Sequence, residues 1–231
     1  MAANFFSRSR LWVVSALLLV LVTGSAFAKD PTLKERVTAI AGAGKTIAVV
    51  YWPSFYSGEV SDSSGSLART TLFTGGAIPA SYSAIGQTAV ESFNKGFSVT
   101  AFSPVDAAKI PMKQSWTGEK TPEWTALDNE LFVSVGLFVR ENLIRNRDGS
   151  KNVKLSVLAK IEIMENSVDK KGKKESSVLK TLNASVSSKA APATGTVSTQ
   201  ADFEKVIPTD SLLEELKTAV DHEVAKYVAK Q

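Results

Sequence analysis

Cysteine is absent from this chain of 231 residues, and histidine occurs once, at His222. Without cysteine the chain has no disulfide, no thiol nucleophile and no thiolate metal ligand. The single histidine lies between Asp221 and Glu223, off the apolar stripe of a predicted helix, which is typical of a solvated side chain. Serine-histidine triads and zinc sites therefore lack their usual residues. The sequence predicts no catalytic residue, no metal ligand and no cofactor.

Residues 1–28 have the pattern of a secretory signal peptide. Arg8 and Arg10 precede an apolar run over 11–22, and Ala26-Phe27-Ala28 provides the small residues of a cleavage site. A retained membrane anchor is the alternative, although the run is shorter than the ~20 residues that span a bilayer. We expect a periplasmic or secreted protein with no integral membrane segment after cleavage.

Cleavage after residue 28 also changes the charge of the chain. The leader contains two of the 27 basic residues and no acidic one, which leaves 25 basic against 23 acidic residues. A balance this close to neutral does not favour nucleic acid as a partner.

Residues 45–53 predict a central strand that is covered on both faces. Ile47, Val49 and Val50 belong to an uninterrupted apolar run between a glycine and a proline, which is too short for a helix. Helical spacing over 33–41 predicts a helix that leads into this strand. Helical spacing over 82–93 and a strand pattern over 97–102 complete a β-α-β unit with parallel strands. The Ser- and Gly-rich residues 53–80 predict a long loop.

Three later segments alternate apolar and polar residues with period two, over 133–139, 153–163 and 178–186. Turn residues separate them, and an apolar stripe over 213–228 predicts a C-terminal helix. Residues 187–200 are rich in Ser, Thr and Ala and predict a flexible segment. The predicted fold is α+β in a single domain, residues 29–231: a mixed sheet with a β-α-β unit followed by a three-stranded antiparallel meander, covered by helices that include the C-terminal one.

Two groups of residues are candidates for contact with a partner. The first is an aromatic cluster at the end of the central strand, and the alternative is that part of it caps the core. The second is a run of lysines in the second hairpin turn, which could meet an anionic surface or simply keep a sheet edge soluble. The candidate residues are Tyr51, Trp52, Phe55, Tyr56, Lys170, Lys171, Lys173 and Lys174.

Carboxylate pairs provide the remaining route to catalysis. Two carboxylates that flank a glycosidic bond can hydrolyse it, but only in convergent geometry that sequence spacing does not establish. The pairs in question are Glu59 with Asp62, Asp128 with Glu130, and Glu162 with Glu165.

The order of these elements over residues 31–190 resembles a known periplasmic domain. It is similar to the domain shared by the curli secretion protein, the N-terminal part of the Tol-system β-propeller protein, and the lipoprotein activators of penicillin-binding proteins. Members of that group bind other envelope proteins, so the resemblance implies an adaptor or assembly role without catalytic residues. The segments that carry it are Lys45-Thr46-Ile47-Ala48-Val49-Val50, Phe93-Asn94-Lys95-Gly96-Phe97-Ser98-Val99, Ser103-Pro104-Val105-Asp106 and Leu131-Phe132-Val133-Ser134-Val135-Gly136.

The sequence thus favours a non-enzymatic binding or scaffolding domain in envelope assembly, with an envelope protein or a second copy as partner. Two alternatives stay open at this point. One is a structural subunit of a surface assembly, and the other is a carboxylate-based glycan hydrolase.

Overall fold

The computed structural model describes residues 31–63, 69–114 and 120–231, so the predicted leader lies outside the described residues. The helices are α1 (Leu33–Gly42), α2 (Ala84–Phe97), α3 (Gln200–Glu204) and α4 (Leu213–Val228). The strands are β1 (Ile47–Asp62), β2 (Thr70–Thr74), β3 (Phe102–Asp106), β4 (Met112–Gln114), β5 (Lys120–Pro122), β6 (Leu131–Arg145), β7 (Lys151–Val168), β8 (Lys174–Ser187) and β9 (Ala191–Pro192). Short 3₁₀ turns lie at Ala80–Ser83, Ala107–Lys109, Trp124–Ala126 and Thr209–Leu212.

A seven-stranded mixed sheet organises the domain. Its main path runs β2-β1-β6-β7-β8, with β3 also beside β1 and β9 beside β7. Strand β1 is parallel to both β3 and β6, whereas β6, β7 and β8 form an antiparallel meander. The predicted α+β class, with its β-α-β unit, meander and C-terminal helix, is therefore confirmed.

Strand β1 is much longer than the sequence suggests. It continues through Pro53 to Asp62, paired with β6 along nearly its whole length, and β2 returns antiparallel beside its second half. The prediction of a long loop over 53–80 is therefore wrong for residues 53–62 and 70–74, and its part over 64–68 lies outside the described residues. Serine and glycine are typical of turns, but pairing with β6 outweighs this local preference.

One extra residue in β1 decides which side chains face each side of the sheet. The register with β6 shifts between Pro53 and Phe55, so Ser54 is a β-bulge. Before the bulge Trp52 points to the outer face, and after it Phe55 does so, while Tyr56 points inward.

Strand β3 begins later than the predicted 97–102. Helix α2 runs through Phe97 and ends at Ser98, which adopts a left-handed conformation with φ of 56°. The Asn94 side chain then holds Phe102 by two backbone hydrogen bonds, at 2.9 and 3.0 Å. Residues Ser103–Asp106 belong to this strand, and the 3₁₀ turn Ala107–Lys109 follows it.

The helices cover one face of the sheet, which we call the inner face. Helix α4 turns Leu216, Val220 and Val224 inward, and each is fully buried. They join the inward residues of β6 and β7 in one continuous core. Burial of this stripe explains why the C-terminal residues form a helix against the sheet.

Residues 187–200, predicted to be flexible, follow the sheet instead of forming a free linker. Ser188 donates its backbone N–H to Leu155, and β9 pairs with β7 at Asn152 and Val153. Val197 is buried in the core. In the part of the chain that is described, no helix has the length and hydropathy to cross a membrane.

Candidate functional site

The four aromatic residues of the predicted cluster do not form one exposed group. Trp52 is buried on the outer face, where its indole N–H donates to Ser134 Oγ at 3.0 Å. Trp124 meets it edge to face at 6.2 Å between ring centroids. Gly136 lies beneath, and a Cβ added to it would come within 3.1 Å of the Trp52 ring. Trp52 is therefore a packing residue at this end of the outer face.

The two tyrosines point to the inner face. Tyr51 packs against Gly86 of α2, and burial raises the pKa of its hydroxyl far above the ordinary value. Tyr56 is 1% exposed, and its hydroxyl lies 3.0 Å from Thr209 Oγ1. Of the four rings only Phe55 is half-buried on the outer face beyond Trp52. The cluster is thus divided by the alternation of a strand.

The lysines of the second hairpin turn lie together at the surface. Asp169 accepts the backbone N–H groups of Lys171 and Lys173, both at 2.8 Å, which shapes the turn. Lys174 pairs with Asp128 at 3.2 Å, and Lys173 with Glu175 at 3.9 Å. Lys170 and Lys171 make no ion pair with any described carboxylate and are exposed.

A groove on the outer face brings together side chains from four strands, and we call it the outer groove. Its volume is about 380 Å³. The strand registers align Phe55, Phe138, Leu158 and Ser185 in one row across β1, β6, β7 and β8. The first three of these side chains are half-buried and form an apolar floor at positions where the alternation of the meander calls for polar residues.

Charged and hydroxyl side chains border this floor. The Glu59 carboxylate lies 3.2 Å from Arg140 Nε and 3.8 Å from the Arg69 guanidinium. Lys154 lies on the same side of the groove. Three hydroxyls complete the lining, and two of them, in Ser156 and Ser187, are hydrogen-bonded at 2.8 Å. The outer groove therefore combines an apolar centre with a predominantly cationic border.

The groove lies far from the lysine turn. Ser185 and Lys174 are both in β8, eleven positions apart, which corresponds to roughly 37 Å at ~3.4 Å per residue. Phe55, the one residue of the predicted aromatic cluster that lines the groove, and the lysine turn therefore belong to separate surfaces.

A carboxylate is buried on the inner face, opposite the groove border. Glu141 is 1% exposed, and neither of its carboxylate oxygens has hydrogen-bond geometry with a described residue. Burial raises the pKa of Glu141 to about 7, the nearby Tyr56 hydroxyl lowers it, and the charge of Glu204 raises it. The Tyr56 hydroxyl makes its short contact with Thr209 instead, which leaves the carboxylate without a hydrogen-bond donor among the described residues. Glu141 is the exceptional group of an otherwise apolar row.

The neighbours of Glu141 form a polar network that joins the C-terminal segment to β1. Thr209 Oγ1 donates to Glu204 at 3.2 Å, and Gln200 donates to the same carboxylate at 2.8 Å. The hydroxyl of Tyr82 donates to the backbone carbonyl of Thr209 at 2.6 Å. These bonds hold the turn at Thr209–Leu212 against the inner face.

The carboxylate pairs considered for glycan hydrolysis face basic partners. Glu59 contacts two arginines, as described above, and Glu162 lies 2.7 Å from Lys160. Arg36 reaches Glu165 at 3.0 Å and Glu130 at 3.4 Å. Asp128 pairs with Lys174, and Asp62 is exposed at the end of β1. Among the described residues no group of three or more His, Cys, Asp or Glu side chains is placed to hold a metal ion.

The sequence offered signals for the groove and for the buried acid that our interpretation missed. Phe138 and Leu158 are large apolar residues at the wet positions of the meander. Glu141 continues the inward series Val133, Val135, Leu137, Val139 at the next period-two position. Both signals are departures from the alternation that predicts the strands.

Comparisons with known proteins give this chain no family. No protein-family model matches it, and no curated protein resembles it significantly. One solved structure with some likeness is described as a homolog of a neuraminyllactose-binding hemagglutinin from Helicobacter pylori. It shares 13% identity over 80% of this chain and 82% of that one, with a TM-score of 0.29. No conclusion about fold or function follows from a likeness at that level.

Proposed function

We propose that this chain is a periplasmic or secreted, non-enzymatic binding domain of the cell envelope, and that the outer groove is its binding surface. The observation that carries the proposal is the apolar row Phe55, Phe138 and Leu158 on the face that the long helices leave uncovered. Half-buried apolar side chains in a bordered hollow are the usual centre of a binding surface.

The contacts of the carboxylates support a binding role over hydrolysis. A general acid in a glycosidase needs a raised pKa and room for a sugar between two carboxylates. Glu59, the carboxylate that lines the outer groove, instead accepts contacts from Arg69 and Arg140. Glu141, whose pKa is raised, is buried under the C-terminal segment on the other face.

The compartment and the class of partner rest on the sequence. The signal-peptide pattern of residues 1–28 supports export, and the resemblance to periplasmic adaptor domains supports an envelope protein as partner. Intact mass of the protein purified from its native cells tests the first point, since cleavage after residue 28 leaves a chain that begins at Lys29.

The absence of cysteine allows a direct test of the binding surface. A single Ser185→Cys substitution places the only thiol in the outer groove, and Lys171→Cys places it on the hairpin turn as a matched control. Each variant is labelled with a benzophenone maleimide and irradiated in intact cells. We expect one envelope protein to be cross-linked from position 185, with the adduct lost when Phe138→Ser is added. Equal adducts from both positions, or none from position 185, would contradict the proposal.

A structural subunit of a surface assembly is a second candidate, favoured by the edge of the sheet. Strand β8 pairs only with β7 among the described strands, and its residues Val178 and Leu179 are 48% and 42% exposed. A long open edge can pair with a second copy, although Lys180 beside them opposes such pairing. Mass measured in solution across a concentration series decides between the two: a constant monomer mass excludes assembly through this edge.

A further inference from the structure

The charges that line the outer groove are unbalanced. Four charged side chains contribute to its lining, and only Glu59 is acidic, against Arg69, Arg140 and Lys154. The local charge is therefore +2. A cationic border around an apolar centre attracts a partner of opposite charge and disfavours a basic one.

The cations retain donors for a ligand. The side chains of Arg140 and Arg69 are 53% and 64% exposed, and both share the one carboxylate of Glu59. Among the described residues no carboxylate lies within ion-pair distance of Lys154. Arginine has five N–H donors in a planar fork, so contact with Glu59 leaves others free to bind a second carboxylate.

The spacing of the groove matches the repeat of an extended polypeptide. Arg140 is two residues along β6 from Phe138, so the apolar row and the arginine row are separated by roughly 7 Å. Lys154 is four residues along β7 from Leu158, at roughly twice that distance. Side chains on one face of an extended chain recur every two residues, also at roughly 7 Å.

We infer that the outer groove recognises an acidic, extended segment of a partner polypeptide, in which an apolar side chain is followed by carboxylates two and four residues along. The apolar side chain lies on Phe138 and Leu158, the first carboxylate meets Arg140, and the second meets Lys154. This inference rests on the proposed function and specifies the ligand of the same surface.

Labelled peptides test the order and spacing of these groups. The probe is a fluorescein-labelled peptide with Phe-Ser-Glu-Ser-Glu between Gly-Ser flanks, and binding is followed by fluorescence anisotropy. Three control peptides change one property each: lysines replace the glutamates, glycine replaces phenylalanine, or the order Phe-Glu-Ser-Glu-Ser turns the acids to the opposite side of the chain. We expect each control to bind at least about tenfold more weakly than the probe. Equal binding of the re-ordered peptide or of the lysine peptide would overturn the inference.

Matched protein variants locate the binding. Arg140→Glu should weaken binding of the probe by about tenfold or more, and Lys154→Gln by less, because a neutral residue removes attraction without adding repulsion. Lys171→Glu makes a comparable change of charge outside the groove and should leave binding unchanged. Circular dichroism of each variant verifies that the fold is retained. If Lys171→Glu and Arg140→Glu weaken binding equally, the attraction comes from overall charge and the inference fails.

An anionic membrane and an anionic glycan are the alternative ligands that the experiment must distinguish from a polypeptide. Vesicles that contain phosphatidylglycerol, and polygalacturonate as an anionic glycan, are added as competitors of the probe. Each competitor is compared with unlabelled peptide at the same concentration of negative charge. If either competitor displaces the probe at a lower concentration of charge than the peptide does, the inference that the groove recognises a polypeptide is overturned. A cross-link from position 185 without peptide binding would retain the proposed function and reject this ligand class. Loss of both the cross-link and the binding of the peptide would reject the proposed function and this ligand class together.

Discussion

The two faces of β6 differ in how they depart from the alternation that builds the strand. Inward, Val133, Val135, Leu137 and Val139 are completely buried, and the next inward position is Glu141. Outward, the middle of the strand presents Ser134, Gly136, Arg140 and Asn142, and Phe138 is the one large apolar residue among them, since Phe132 and Ile144 lie nearer the two ends. The inner face thus holds one acid among apolar residues, and the outer face an apolar row among polar residues. Departures of this kind mark residues that folding alone does not explain.

The largest change in the free energy of unfolding is expected when two adjacent residues on opposite faces of β6 are substituted. Leu137→Ala removes a fully buried side chain and should lower the free energy of unfolding by about 3 kcal/mol, whereas Phe138→Ala removes a half-exposed one and should cost less than about 1.5 kcal/mol. Urea unfolding followed by tryptophan fluorescence measures both. Equal losses would show that the outer row is a structural core rather than a binding surface.

Glu141 should make the free energy of unfolding depend on pH. Below its ordinary pKa of 4.5 the side chain is protonated in both states and contributes no pH dependence. Between 4.5 and about 7 the unfolded chain ionises while the folded chain retains the proton, so the free energy of unfolding falls as pH rises. Above about 7 the loss is complete, and with allowance for partial screening we expect about 2 kcal/mol.

The substitution Glu141→Gln isolates this contribution, because glutamine does not titrate. Unfolding free energies of the original protein and of the variant, measured from pH 4.5 to 8, should diverge by about 2 kcal/mol across that interval. Glu162→Gln is the matched control on the outer face, where the carboxylate is paired with Lys160. A parallel pH dependence of the Glu141 variant and the original protein would show that burial does not raise the pKa of Glu141 in the folded state.

A smaller effect is expected where the C-terminal turn is held to the inner face. Tyr82→Phe removes the donor to the Thr209 carbonyl and should cost about 1 kcal/mol, because a buried acceptor loses its partner. Tyr227→Phe, half-buried on α4, is the control and should change stability by less than about 0.5 kcal/mol. Hydrogen exchange at residues 200–212 shows whether the loss is local. Unchanged exchange there would contradict the assigned role of the bond.

The sequence predicts the meander, the parallel unit and the C-terminal helix because period-two and helical patterns persist there over many residues. It fails between residues 53 and 80, where Ser, Gly and Thr suggest turns but β6 provides a pairing partner that no local pattern reveals. It also places β3 five residues early, since Phe97 ends a helix rather than beginning a strand. The strand boundary depends on side-chain bonds from Asn94, which are tertiary information.

The candidate site was less accessible to prediction than the fold. The aromatic cluster was identified by composition, but a cluster in sequence becomes two sets of neighbours when a strand alternates, and only Phe55 lines the groove. Phe138 and Leu158 are separated by 20 positions in the chain and become neighbours only through the hairpin register. The sequence shows that both residues are apolar at positions where polar residues are expected. Only the pairing of β6 with β7 shows that they form one row.

The bulge at Ser54 accommodates one residue more than the pairing with β6 requires. Deleting Ser54 alone would place Phe55 directly after Pro53, so Phe55 would still face outward and Tyr56 inward, in the present register with β6. Straightening the strand with Ser54 kept would instead pair Ser54 with Phe138, and every later side chain would exchange faces, with the Tyr56 hydroxyl turned outward and the Glu59 carboxylate turned into the core. Deleting Pro53 and Ser54 together would cause the same exchange, because Phe55 would then follow Trp52. A chain that lacks Ser54 alone should therefore be recovered as soluble, folded protein, whereas a chain that lacks both residues should be recovered as insoluble protein.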